Sequence, residues 1–182
     1  MLRILALVPC LWLVLGHSAD AAGKHTPSVQ SLFRRAGHIV RGRVLFTGAS
    51  PLEADGEPSA GSAMTAGEVD RWRFVFDNQR TRGSRFRTVV LKYGKGGFGR
   101  VKGKLPAFLE DNRLSPLPTM TLDAAIVRLR GAGYQQPFSS VTLRFPLGPS
   151  FSEPLYIFGF ETGSGPPFVG VGTSTGDVAP LG

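Results

Sequence analysis

Between Arg71 and Asp77, the side chains of Trp72, Phe74 and Phe76 alternate with those of Arg71, Arg73 and Asp77. Successive residues of a strand point to opposite faces, so this period of two sets three aromatic rings on one side and charge on the other. A chain carrying such a segment needs a sheet with one packed face and one face open to water. Further strands are expected at Arg85–Tyr93 and, beyond a Gly94–Gly97 turn, at Phe98–Lys102. Upstream, Thr26-Pro27 offers a helix cap followed by a proline at the first helical position. Val29, Leu32, Phe33 and Ala36 then form one apolar stripe, and Gly37 is a natural stop. Ile39–Phe46 alternates imperfectly and reads as a strand. Thr47–Asp70 is rich in Gly, Ala, Ser, Pro and acid, has no period, and reads as a mobile loop.

The order then repeats. Leu105–Met120, with Pro106, Pro116 and Pro118, reads as a connector. Thr121 can cap a second helix with Asp123 in its first turn and Leu122, Ala125, Ile126 and Leu129 on its apolar face. Strands follow at Ser140–Phe145, Leu155–Phe160 and Phe168–Val171, and Thr175-Gly176-Asp177 turns into Val178. The expected class is α+β: two helix-plus-antiparallel-sheet units in tandem, helices on one sheet face. The units span residues 22–104, with the loop at 47–70, and 121–182, joined by 105–120.

The chain begins with the pattern of a secretory signal peptide over residues 1–21. Arg3 precedes the twelve apolar positions from Ile4 to Leu15, and Ala19-Asp20-Ala21 supplies small residues for cleavage. A membrane span needs about 20 apolar residues, so this core is short for an anchor, and no transmembrane segment is expected after cleavage. The expected location is extracytoplasmic: secreted, periplasmic, cell-surface or in a secretory pathway. Cleavage removes Cys10, the single cysteine, and leaves 161 residues without a thiol. Disulfides, cysteine nucleophiles and thiolate metal sites are thereby excluded, and stability must come from apolar burial. That length suffices for one core, or for two small units sharing one.

The net charge of +8 is concentrated. Residues 71–104 carry Arg71, Arg73, Arg80, Arg82, Arg85, Arg87, Lys92, Lys95, Arg100, Lys102 and Lys104 against Asp77 alone. These eleven side chains are the candidate site for an anionic partner, either a polymer or a cell surface. Glu53, Asp55, Glu57, Glu68 and Asp70 lie just upstream and could instead fold over the block. Nucleic acid is a weaker form of this reading, because export removes the protein from most of it and the aromatics at 72, 74 and 76 look buried rather than free to stack.

Catalytic patterns are thin. Gly94-Lys95-Gly96-Gly97-Phe98-Gly99-Arg100-Val101 matches the glycine loop of protein kinases, but the catalytic-loop and magnesium-binding motifs are missing and only 83 residues follow Gly99. It reads as a hairpin turn. His25 and His38 stand in no ligand spacing, no Gly-x-Ser-x-Gly elbow occurs, and Glu110-Asp111 reads as a solvated pair. No catalytic, metal-binding or cofactor-binding residue is assigned, and the chain is expected to be a binding protein rather than an enzyme.

The segment Leu122–Val178 resembles the PepSY domain. The likeness rests on the helix Leu122-Asp123-Ala124-Ala125-Ile126 with its glycine exit, the strand Tyr156-Ile157-Phe158, and Phe168-Val169-Gly170-Val171 leading to Thr175-Gly176-Asp177-Val178. It covers about a third of the chain. Gly172-Thr173 stands where the family commonly has an aspartate, and the first half has no Thr-Gly turn. The resemblance implies an α+β fold, often tandem, in extracytoplasmic proteins that bind or restrain peptidases, with no catalytic residues. It favours two PepSY-like or cystatin-like units that recognise a protein or peptide by a sheet face or edge.

Overall fold

A computed structural model describes residues 27–161 and 165–181. The segment expected to be a signal peptide, Cys10, His25 and Thr26 lie outside them. Among the described residues, two helices and ten strands form an α+β fold dominated by one antiparallel sheet.

Helix α1 (Val29–Arg41) starts at Ser28, whose hydroxyl accepts from the Ser31 N–H at 3.2 Å. Val29, Leu32, Phe33 and Ala36 are buried as expected. Gly37 does not stop the helix. Val40 extends the same stripe by another turn and is fully buried, which outweighs the roughly 1 kcal/mol cost of an internal glycine. The strand expected at Ile39–Phe46 is therefore replaced by the end of α1 and a 3-10 turn at Val44–Phe46.

The segment expected as a mobile loop holds strand β1 (Ser50–Glu57), which lies at the middle of the sheet. It pairs on one side with β2 (Arg71–Asp77) and on the other with β7 (Ser140–Pro146). Gly56 is required there by packing. A Cβ at this position would stand 2.6 Å from Val69 and 2.7 Å from the Trp72 ring.

Beyond β2 the sheet continues through β3 (Thr88–Gly94), whose far side is lined by β4 (Gly97–Phe98) and β5 (Lys102–Lys104). The strand expected from Arg85 thus begins at Thr88, and the single strand expected at Phe98–Lys102 is two short pieces. The glycine segment is the hairpin turn expected in place of a kinase loop, and Gly97 adopts φ +86°, a region open to glycine. On the other side of β7 lie β8 (Leu155–Gly159), β9 (Phe168–Gly172) and β10 (Val178–Leu181). The connector is more than a spacer. Its β6 (Asp111–Asn112) pairs with β7, Leu114 is buried, and the Leu114 N–H donates to the Pro51 carbonyl at 2.9 Å.

Helix α2 (Leu122–Gly131) has Thr121 as its cap and buries Leu122, Ala125, Ile126 and Leu129. Strand register makes the two faces explicit. Val171, Tyr156, Leu143, Ala54, Phe74 and Leu91 form one row across six strands, all fully buried beneath the helices. One residue away, Gly170, Ile157, Thr142, Asp55, Arg73 and Lys92 form the matching row on the opposite face. Both halves share a single apolar core. Gln30 of α1 stitches them together: its Nε2 donates to the Tyr156 hydroxyl at 2.9 Å and to the Met120 carbonyl, which also accepts from Tyr156 at 3.0 Å.

Candidate functional site

The outer face of the sheet carries an ion-pair ladder. Glu53, Asp55 and Glu57 project from β1 opposite the face of β2 that holds Arg71 and Arg73. Arg73 reaches Glu53 at 2.6 Å and Asp55 at 2.5 Å, and Arg71 reaches Glu57 at 3.5 Å. From β7, Thr142 donates to Asp55 at 3.0 Å, while Arg144 pairs with Asp111 at 2.6 Å and lies 3.8 Å from Glu53. Arg113 from the connector closes on Asp77.

This cluster sets three carboxyls, Glu53, Asp55 and Asp111, against two guanidinium groups, Arg73 and Arg144. Burial, reinforced by the adjacent Asp55, pushes the Glu53 carboxyl up to about 8 despite Arg73. Burial likewise pushes Asp111 up to about 6 against the pull of Arg144. A proton retained in the cluster makes up the missing positive charge. Beside the ladder lies a groove of about 830 Å³, lined by Asp55, Glu57, Asp70, Arg71, Lys92 and Lys95 among others.

The acidic segment therefore neutralises only part of the basic block. Glu68 and Asp70 are engaged locally, Glu68 accepting the N–H groups of Met64 and Thr65 and Asp70 bonding Ser59. Arg71 and Arg73 are paired. The other nine, Arg80, Arg82, Arg85, Arg87, Lys92, Lys95, Arg100, Lys102 and Lys104, are exposed, and none forms an ion pair among the described residues. Lys92 and Lys95 line the groove. Arg100 lines a separate hollow with Arg43, Val44 and Leu45. Lys104 is joined to the arginine loop by the Arg87 N–H, which donates to its carbonyl at 2.9 Å.

That loop, residues 78–87, is held against the turn after α1 by one buried side chain. Asn78 is 1% exposed, and the two hydrogens of its amide nitrogen are shared among the Leu45 carbonyl at 3.1 Å, the Ser84 hydroxyl at 3.0 Å and the Phe86 carbonyl at 2.9 Å. Its oxygen accepts from Thr81, whose own hydroxyl accepts from the Gly48 N–H at 2.9 Å. Phe46 packs on Phe86 with centroids 5.9 Å apart, and Arg85 lies over the Phe86 ring. Asn78→Ala is expected to cost about 1–3 kcal/mol, because it removes the hydrogen bonds by which a buried amide holds the Leu45 and Phe86 carbonyls and the Thr81 hydroxyl. Urea denaturation measures this, and a loss below about 0.5 kcal/mol would contradict the role given to Asn78.

Sequence reasoning missed Arg43, Val44, Leu45 and Asn78 as parts of this end. The available signal was charge: neither Val29–Leu52 nor Asn78–Leu109 contains a carboxylate. Glu110 is exposed, as expected, but Asp111 is buried. His38 is exposed on α1. Among the described residues no group of three or more His, Cys, Asp or Glu side chains could hold a metal ion, and no helix is long and apolar enough to cross a membrane. No protein-family model, curated protein or solved structure matches the chain.

Proposed function

We propose that this protein is an exported, non-catalytic binder that captures a polyanionic partner through its arginine- and lysine-rich end. One observation carries this reading. The segments Val29–Leu52 and Asn78–Leu109 contribute thirteen Arg and Lys side chains and no carboxylate. The acids that could have quenched them are committed to Arg71, Arg73, Arg113 and Arg144. Such a field concentrates anions near the surface and weakens as salt screens it.

Dextran sulfate binding is expected to fall steeply with salt. Replacing Arg80, Arg82, Arg85 and Arg87 together by glutamine is expected to weaken it by at least about tenfold near physiological salt. Retention that ignores salt, or that survives these four substitutions, would defeat the proposal.

The groove favours a second reading, in which a protein or peptide lies along the open sheet face. Edge pairing is the poorer route, since β10 carries Pro180 and β5 carries Lys102 and Lys104, both of which discourage added strands. A groove ligand would be lost with Lys92→Glu and Lys95→Glu, yet kept by the four-arginine variant. The opposite pattern excludes the groove. Duplication belongs with these proposals: α1 followed by β1, β2, β3 and α2 followed by β7, β8, β9 run outward in opposite directions from the β1–β7 seam. That arrangement supports two PepSY-like or cystatin-like units fused through their first strands.

A further inference from the structure

The basic end is also apolar at its tip. Val44 is 86% exposed, Leu45 48% and Ile39 36%, and the three surround one hollow of about 600 Å³ together with Arg43 and Arg100. These side chains are not on a loose tail. The Arg43 N–H donates to the Val40 carbonyl at 3.0 Å, the Phe46 N–H to the Arg43 carbonyl at 2.8 Å, and Asn78 holds the Leu45 carbonyl. Phe46 is turned inward against Phe86, so Val44 and Leu45 are held outward by a fixed backbone. Arg43 lines the same hollow, and Asn78 ties the loop bearing Arg80, Arg82, Arg85 and Arg87 to the Leu45 carbonyl at this end.

We infer that this end docks on a lipid bilayer with anionic headgroups, Val44 and Leu45 entering the interface while the surrounding arginines meet the phosphates. The inference rests on the polyanion reading and narrows it. A soluble polyanion satisfies the cations but leaves two aliphatic side chains in water. A bilayer surface offers negative charge and, a few ångströms deeper, hydrocarbon, which matches both parts of the patch. Two weak signals acting together are what stable interfacial attachment requires.

The test sediments the protein with vesicles of phosphatidylcholine alone and of phosphatidylcholine mixed with phosphatidylglycerol, and measures dextran sulfate binding in parallel. The parent is expected to bind the mixed vesicles and ignore the neutral ones. Val44→Ser with Leu45→Ser is expected to weaken vesicle binding about ten- to a hundredfold and leave dextran sulfate binding within about twofold. In the variant Val44→Trp, the emission of the added indole is expected to shift to the blue on mixed vesicles and to be quenched by brominated lipid. This readout does not depend on the double variant folding. The inference is overturned by a double variant that keeps the parent's vesicle affinity, by an emission that does not shift when Val44→Trp meets mixed vesicles, or by a concentration-dependent dimer that Val44→Ser disperses. Dextran sulfate binding without vesicle binding defeats the lipid inference alone, and binding to neither defeats the polyanion reading as well.

Discussion

Arg144→Met is expected to destabilise the fold by about 3–5 kcal/mol, read as a fall in the denaturation midpoint at neutral pH. Arg144 is the guanidinium that pairs with Asp111, whose side chain has no solvent exposure, and it also reaches Glu53 and the exposed Glu110. One oxygen of Asp111, Oδ2, is already buried without a hydrogen-bond partner. Removing the arginine leaves that carboxylate with burial and no compensation, so the chain must either protonate it or open the connector that carries it. The consequence is double, because Asp111–Asn112 is the stretch of connector paired to β7. Acidification is expected to recover part of the loss by neutralising Asp111, whose carboxyl rises further once Arg144 no longer holds it down. Combining Arg144→Met with Asp111→Leu is expected to recover most of it, since a buried pair replaced by apolar groups is often neutral. A loss under about 1 kcal/mol for Arg144→Met would show that water reaches Asp111 and that the pair is not structural.

Stability is expected to decline between about pH 5 and pH 9, and Glu53→Gln is expected to flatten that decline. The Glu53 carboxyl is raised from 4.5 in the unfolded chain to about 8 in the fold. Between those values the folded chain holds a proton that the unfolded chain releases, so raising the pH favours unfolding. The stabilisation is complete below about 4.5 and is lost as the pH rises through about 8. Asp111, raised from 3.8 to about 6, contributes with the same sign over a lower window. Glu68, Asp70 and Glu153 are lowered and act in the opposite sense, but only at pH values below the ordinary carboxylate range. Glutamine keeps the shape of Glu53 and can still accept from Arg73 and donate to Asp55. Above pH 8 the variant is expected to be the more stable protein, by an amount on the order of 2 kcal/mol. Thermal melts across the range decide this, and a parent curve that is flat from pH 5 to pH 9 would refute it.

Legibility followed periodicity. The α1 stripe, the whole of α2 with its Thr121 cap, and the alternation of β2 were readable because each writes its burial pattern into consecutive residues. Strand β1 was not, because Ser, Pro, Ala, Gly and acids are poor strand formers. Yet Glu53, Asp55 and Glu57 alternate with Leu52, Ala54 and Gly56, and Asp55 and Glu57 face Arg73 and Arg71 across the strand pair. Opposite charges with the same period in two neighbouring segments are a pairing signal. The ladder is hidden with β1, since an acidic segment read as a loop offers no fixed geometry for its carboxylates. Ile39–Phe46 failed for the converse reason: eight residues can satisfy either period, and only the depth at which Val40 sits decides for the helix.

The α+β class, the aromatic and aliphatic core faces, the hairpin at Gly94–Gly97 and the gathering of cations between Arg71 and Lys104 are written in consecutive residues. Tertiary structure decided which of those cations remain unpaired, by drawing β1 into the middle of the sheet beside Arg71 and Arg73. It also decided that Val44 and Leu45 share an end with Arg80, Arg82, Arg85 and Arg87, through the hydrogen bonds of Asn78. Periodicity records how a residue faces its own element. Charge balance and surface patches depend on which elements become neighbours, and that is settled by packing over long chain separations.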